Sequence, residues 1–243
     1  MEIVEQIVKS RKNLKEILKD EYNTENLPIY ELEEMDKLFE LETTKDNPFK
    51  TSSNSGKGNA CNFTLNHKNI KDHKLHVVYY NLQKDGKTKM MKNTIWKYID
   101  KLYESETFQK TDNIFLIINE SFKESIKNMN NELNLELKEK YKDKIENDLG
   151  YTEKHFGNLS IFDIKTLQYN ILNHKSVPKH TIIRDNEDIE KILDICKCKL
   201  EQLPVILKDD PVAKLKLGTN GDIFKIIRIG KTCGENVYYR VCR

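Results

Sequence analysis

Asp85-Gly86-Lys87 is the part of this sequence whose residue types and spacing come nearest to catalytic equipment. An acid followed two positions later by lysine, just after a strand-like run, is half of the signature of metal-dependent nucleases. There, carboxylates hold Mg²⁺ and the lysine steadies the attacking water. The other half, an upstream acid usually beside proline, is not evident, and the nearest acid is Asp72 in "IKDHKL". Asp-Gly is also a frequent hairpin signal, so a turn is the simpler reading. Two thiol and imidazole sets invite a metal: Cys61, His67, His73 and His76, and Cys196, Cys198, Cys233 and Cys242. Neither has the paired spacing of structural zinc sites, and Cys196 reads as a small core residue on the apolar face of a helix. "NSGKGN" lacks the spacing and hydroxyl of a phosphate loop. No serine–histidine or cysteine–histidine arrangement stands out. No catalytic residue, metal or cofactor is expected.

The remaining polar feature is charge. Of 243 residues, 36 are lysine, 5 arginine and 24 asparagine, a bias that matches AT-rich coding. Each arginine is correspondingly informative, because lysine cannot reproduce its planar fork. Residues 63–101 carry nine lysines against three aspartates, whereas Glu31–Glu42 carries six acids and one lysine. Lys84, Lys87, Lys89 and Lys92, with Lys97 and Lys101, could meet phosphates or simply form a solvated face. Five cysteines are too few for a disulfide scaffold. The first 18 residues lack a signal-peptide core and no apolar run approaches about 20 residues, so an intracellular, non-membrane protein is expected.

The elements that must position these residues can be read from periodicity. Ile3, Val4, Ile7, Val8, Leu14, Ile17 and Leu18 predict an amphipathic helix over 2–20. "TSSNSGKGNACN" (51–62) reads as a loop, "KLHVVYYNL" (74–82) as a strand, and 94–104 as a helix with Thr94 as its cap. "NIFLIIN" (113–119) suits a strand covered on both faces. A helix follows from about Ser121, then a second charged helical segment carrying Leu133, Leu137, Tyr141 and Ile145. This order predicts an α/β domain over 1–170. A second, small mixed domain is expected over 171–243. It has a helix over Asp185–Leu200 burying Ile189, Ile192, Leu193 and Cys196, then strands over 221–230 and 235–243 joined by a turn with Gly234.

Three of the five prolines (Pro178, Pro204 and Pro211) fall within 34 residues of this second domain. Pro178 is expected to force His174–Val177 extended, and Pro204 to stop the preceding helix. Asp210 is expected to cap a helix that Pro211 begins. With them come Val177-Pro178-Lys179-His180, Gln202-Leu203-Pro204, Asp210-Pro211-Val212-Ala213-Lys214, Lys225-Ile226-Ile227-Arg228 and Tyr239-Arg240. In order and spacing, over about 70 residues, these resemble the fifth common subunit of eukaryotic RNA polymerases and its archaeal counterpart. Upstream, "LSIFDIKTLQYNILNH" looks like that family's approach to the VPKH step.

The resemblance implies a non-catalytic subunit of a DNA-directed RNA polymerase that acts in transcription. By the same resemblance, residues 1–170 look like the jaw domain of eukaryotic members, nuclease-like in fold, and 171–243 like the assembly domain that docks on the largest subunit. The implied interface set is Pro178, His180, Pro204, Asp210, Pro211, Arg228, Tyr239 and Arg240. Downstream double-stranded DNA is an implied partner near Lys84, Lys87, Lys89 and Lys92, and no membrane is. The family's arginine after QLP is Val205 here, the one after DPVA is Lys214, and the aromatic pair is Leu215-Lys216. "NESFKES" lacks the jaw's usual proline. Such divergence, with the compositional bias, looks like a version encoded by a large DNA virus or a fast-evolving parasite. The implied location is the nucleus, or the virion and host cytoplasm if virus-encoded. A metal-dependent nuclease using Asp85 and Lys87, or a free-standing DNA-binding protein, are the rival readings.

Overall fold

The computed structural model describes residues 2–41, 58–80, 82, 91–104, 108–121, 123–140, 151–230 and 234–243. They form two compact units, Met1–Asp143 with Phe156–Tyr169, and Lys144–His155 with Asn170–Arg243. Both mix helices with sheet, as expected of an α/β chain. No helix among the described residues is long and apolar enough to cross a membrane.

The N-terminal unit is built on four strands: β1 (Phe63–Asn66), β2 (Lys74–Tyr79), β3 (Asn113–Ile118) and β4 (Leu159–Asp163). They lie in the order β1-β2-β3-β4, with β1 antiparallel to β2 and the other pairs parallel. Parallel neighbours need long crossovers, here through the helices α3 (Lys92–Glu104) and α4 (Glu124–Lys140). Ile95, Tyr98, Ile99 and Leu102 of α3 and Ile126, Leu133 and Leu137 of α4 cover Val78, Ile114, Leu116 and Ile161. Because alternate strand residues face opposite sides, Tyr79 points the other way. There Ser10 of α1 (Ile3–Ile17) meets the Tyr79 hydroxyl at 3.0 Å. Covered on both faces, β3 is buried along its whole length, which is why it reads as an unbroken apolar run. A further helix, α2 (Leu32–Glu40), buries Met35 and Phe39.

Several buried polar groups fasten this unit. Arg11 donates to the carbonyls of Pro28 (3.1 Å) and Cys61 (2.8 Å), fixing two loops to α1. Asn134 donates to the Leu159 carbonyl and accepts from its amide, replacing a missing neighbour strand at the start of β4. Asp112, fully buried, accepts from the amides of Lys74 and Gln109 and contacts His76 Nε2 at 2.8 Å.

Two expectations are corrected here. Thr94 is not a cap: α3 begins at Lys92, and the Thr94 amide donates to Met91, inside the first turn. The segments after Ser121 are one helix, α4, because Ile126, Met129, Leu133 and Leu137 form a continuous buried stripe. Tyr141 and Ile145, the loop over 51–57, and Phe122 within "NESFKES" lie outside the described residues.

The C-terminal unit has a second four-stranded sheet in the order β5-β7-β8-β6: β5 (Lys179–Ile183), β6 (Val205–Ile206), β7 (Ile223–Gly230) and β8 (Gly234–Cys242). β7 is antiparallel to β5 and β8, and β6 runs parallel to β8. Its two faces carry two small cores. Ile192 of α5 (Asn186–Cys196) packs with Leu203, Ile223 and Val241. Ala213 of α6 (Pro211–Leu215) packs with Ile206, Phe224, Ile226 and Cys242 on the other face. Gly218 permits the close approach after α6, since a Cβ there would stand 2.6 Å from the Phe224 ring.

The helix expected over Asp185–Leu200 ends at Cys196, because Lys197 turns left-handed (φ 49°) and its amide closes on Asp194. Cys196 is exposed rather than inward. What Pro204 follows is a separate 3₁₀ turn, Leu200–Gln202, not the long helix. His174–Val177 is a turn rather than extended chain: the Val177 amide donates to the His174 carbonyl at 2.8 Å. Asp210 does cap, accepting from the amides of Val212 and Ala213 at 2.9 and 3.4 Å, with Pro211 opening α6.

Candidate functional site

The motif residues converge on the C-terminal unit's sheet and its corners, in two classes. Some are occupied inside the unit. Asp210 caps α6, and Tyr239 packs on the α5 side of the sheet beside Leu193 and Ile189. The half-buried His180 ring lies 2.6 Å from the Pro178 carbonyl, and burial pushes its pKa down despite that bond. Arg240 donates to the Val205 carbonyl at 3.1 Å, tying β8 to β6. Others face outward: Pro204, Pro211 and Arg228 are exposed. Arg228 lies over the Tyr238 ring, 5.1 Å from its centroid, which places its guanidinium on the exposed surface of the hairpin.

The β7–β8 hairpin supplies what the motif reading missed. Pairing with β5 ends at Lys179↔Ile227, while β6 pairs only with Val241 and Cys242. The hairpin continues to Gly230↔Gly234 as a two-stranded ribbon. By the period of two, Ile229 and Val237 lie on the face that carries Ile223 and Val241, yet among the described residues no helix covers them. Ile229 is 85% exposed, Val237 46%, and Tyr238, on the opposite face, 47%. An exposed ribbon with apolar residues and unpaired edges is marginal by itself and suits a partner. Residues 231–233, including Cys233, lie outside the described residues. The sequence signal was present in "IFKIIRIG", whose alternation continues past the last covered residue.

A second feature that motif reading missed is the buried Asp222. One carboxylate oxygen meets His155 Nε2 at 2.9 Å and Lys154 Nζ at 3.5 Å; the other accepts from Thr219 and lies 3.5 Å from Arg184 Nε. Burial alone would raise this carboxyl, but the His155 bond and the Arg184 charge prevail and hold its pKa below the ordinary carboxylate value. Arg184 also donates to the Tyr151 hydroxyl at 3.1 Å and stacks over its ring. Tyr151–His155 is thereby clamped within the C-terminal unit.

In the N-terminal unit, Asp85, Gly86, Lys87, Lys84 and Lys89 lie outside the described residues. Asp72 is exposed in the turn that enters β2, at a left-handed φ of 59°. Lys92 is held by Glu136 (2.7 Å) and Glu132 (2.9 Å), and these bonds raise its pKa. The His67 and His73 rings meet at a tilt with centroids 5.7 Å apart, His73 nears Asn113, and His76 is bound to Asp112. Among the described residues, no three His, Cys, Asp or Glu side chains are grouped to hold a metal ion.

Comparison with known proteins falls on this same C-terminal unit. The family model described as RNA polymerase Rpb5, C-terminal domain, matches residues 169–242. The DNA-directed RNA polymerase subunit Rpo5 of Methanosphaera stadtmanae is 46% identical over 77 residues, which are 32% of this chain and 99% of that protein. Rpo5 of Archaeoglobus fulgidus is 41% identical over 75 residues, 31% of this chain and 97% of that one. The DNA-directed RNA polymerases I, II, and III subunit rpabc1 of Dictyostelium discoideum is 38% identical over 84 residues, 35% of this chain and 42% of that protein.

Proposed function

Because this chain belongs to the Rpb5/Rpo5 family of non-catalytic DNA-directed RNA polymerase subunits, we propose that its C-terminal unit docks on the largest polymerase subunit through the β7–β8 hairpin. Its partners are other polymerase subunits, and its work is in transcription. The observation that carries the docking surface is the apolar ribbon of Ile229, Val237 and Tyr238 with the presented Arg228. Burying Ile229 alone would contribute about 2 kcal/mol. Pro178, Pro204 and Pro211 set the corners around that surface, while Asp210, His180, Tyr239 and Arg240 hold its shape from inside. The assembly domain is taken as residues 171–243 and the jaw as 1–170.

The jaw's proposed role is to approach downstream double-stranded DNA. Lys84, Lys87, Lys89 and Lys92 are the candidate contacts, and at Lys92 a phosphate would compete with two carboxylates. The proposed setting is intracellular: the nucleus, or a virion and host cytoplasm if the gene is viral.

Ile229→Lys with Val237→Lys tests the docking face. Co-expressed with the largest subunit, the double variant should keep the wild-type melting temperature yet lose most recovery in a pull-down. Undiminished recovery would remove the hairpin from the interface.

A further inference from the structure

Cys196 and Cys198 flank the left-handed Lys197 at the end of α5, and both are free thiols. The turn is fixed from behind, the Lys197 amide donating to Asp194 and the Cys198 amide to Leu193, both at 3.2 Å. Residues two apart are at most about 7 Å apart at their Cα atoms, and less where the chain turns back, which is within disulfide range. Partial desolvation and the neighbouring Cys198 push the Cys196 pKa up, which keeps its thiolate fraction small and makes exchange slow rather than preventing it. Cys196 is open to solvent, whereas Cys198 is half-buried against the α5 core. Cys198 also lines an open surface groove in which Lys191, Lys197 and Lys199 alternate with Glu187, Glu190 and Asp194. The other described cysteines, Cys61 and Cys242, are buried.

We propose that Cys196-Lys197-Cys198 is a thiol–disulfide exchange site, a dithiol that a low-molecular-weight disulfide of the glutathione type converts reversibly to an intramolecular disulfide. The Cys196 thiolate attacks one sulfur of R–S–S–R and expels R–S⁻, which takes up a proton. Cys198, giving up its own proton, then attacks the Cys196 sulfur of the mixed disulfide and expels the second R–S⁻. One small disulfide is reduced to two thiols, and the protein loses two electrons and two protons. This does not depend on the docking role.

The test uses the full chain, equilibrated over a series of reduced-to-oxidised glutathione ratios, quenched in acid, alkylated and digested with trypsin. Cleavage at Lys197 separates the reduced pair, but a disulfide keeps Ile192–Lys197 joined to Cys198–Lys199. The joined species should rise with the oxidised fraction and vanish on reduction. In Cys198→Ser the resolving thiol is gone, so a glutathione adduct on Cys196 should accumulate on the order of tenfold above wild type. Wild-type protein that stays as two free thiols, or holds stable adducts without the joined peptides, would overturn the proposal. So would pairing of either cysteine with Cys61, Cys233, Cys242 or a second molecule.

Discussion

Buried titratable side chains give this protein its pH dependence one residue at a time. His73 sits among Asp112, His76 and the His67 ring, and burial lowers its pKa to about 4. The unfolded chain, with an ordinary imidazole near 6.5, therefore binds more protons between those two values, so stability falls as pH drops through this window. By pH 5 the loss from His73 alone should be about 2 kcal/mol. Thermal melts of the full chain at pH 7 and pH 5 should show it, and His73→Leu should reduce the difference. An unchanged difference in that variant would mean that other groups carry the acid sensitivity. Asp222 works in the opposite range. Its depressed pKa adds stability that is present above the ordinary carboxylate value and is lost only in stronger acid.

At the scale of elements, the corner between β6 and α6 depends on one local device. Asp210 satisfies amides at the start of a five-residue helix, and Pro211 supplies a first position that needs no donor. Asp210→Ala should cost about 0.5–2 kcal/mol, and Pro211→Gly about 1 kcal/mol or less through the freer unfolded chain. Because α6 covers Phe224 and Ile226, the double variant should reduce capture by the largest subunit by loosening the sheet behind the hairpin. Normal thermal stability together with wild-type recovery would show that this corner does not shape the interface. The hairpin itself contrasts with α6, since its ribbon past Ile227 has little to hold it but its own ladder.

For the molecule as a whole, the two units lead to separate expectations. Residues 171–243 contain both small cores of the C-terminal sheet, and the matching family model covers 169–242, almost the same span. A chain of residues 171–243 should therefore melt in one cooperative transition. It lacks His155, whose charge-assisted bond to Asp222 is of a kind worth about 1.5–3 kcal/mol. Asp222→Asn should accordingly cost less in that short chain than in the full one. Aggregation, or a melt without cooperativity, would move the boundary upstream. DNA binding by the full chain should be weak and steeply salt-dependent, because lysine contacts to phosphate act mainly through counterion release. Tight, sequence-selective binding above physiological salt, or Mg²⁺-dependent cleavage, would favour one of the rival readings.

Much of this was legible in the chain because it depends on near neighbours. β-branched and aromatic residues mark β2, an unbroken apolar run marks the doubly covered β3, and Asp210 reaches its amides two and three residues on. The proline motifs were enough to point to the family. Burial was another matter, since it depends on what distant segments bring over a residue. Period 3.6 puts Cys196 on the same stripe as Ile189, Ile192 and Leu193, but the helix outlasts its cover and the thiol faces solvent. Period two puts Ile229 in line with Ile223, yet only Ile223 has α5 above it. His155 and Asp222 meet across 67 positions of sequence. No local pattern encodes that approach, because only the folded C-terminal unit removes the water that would otherwise solvate both groups.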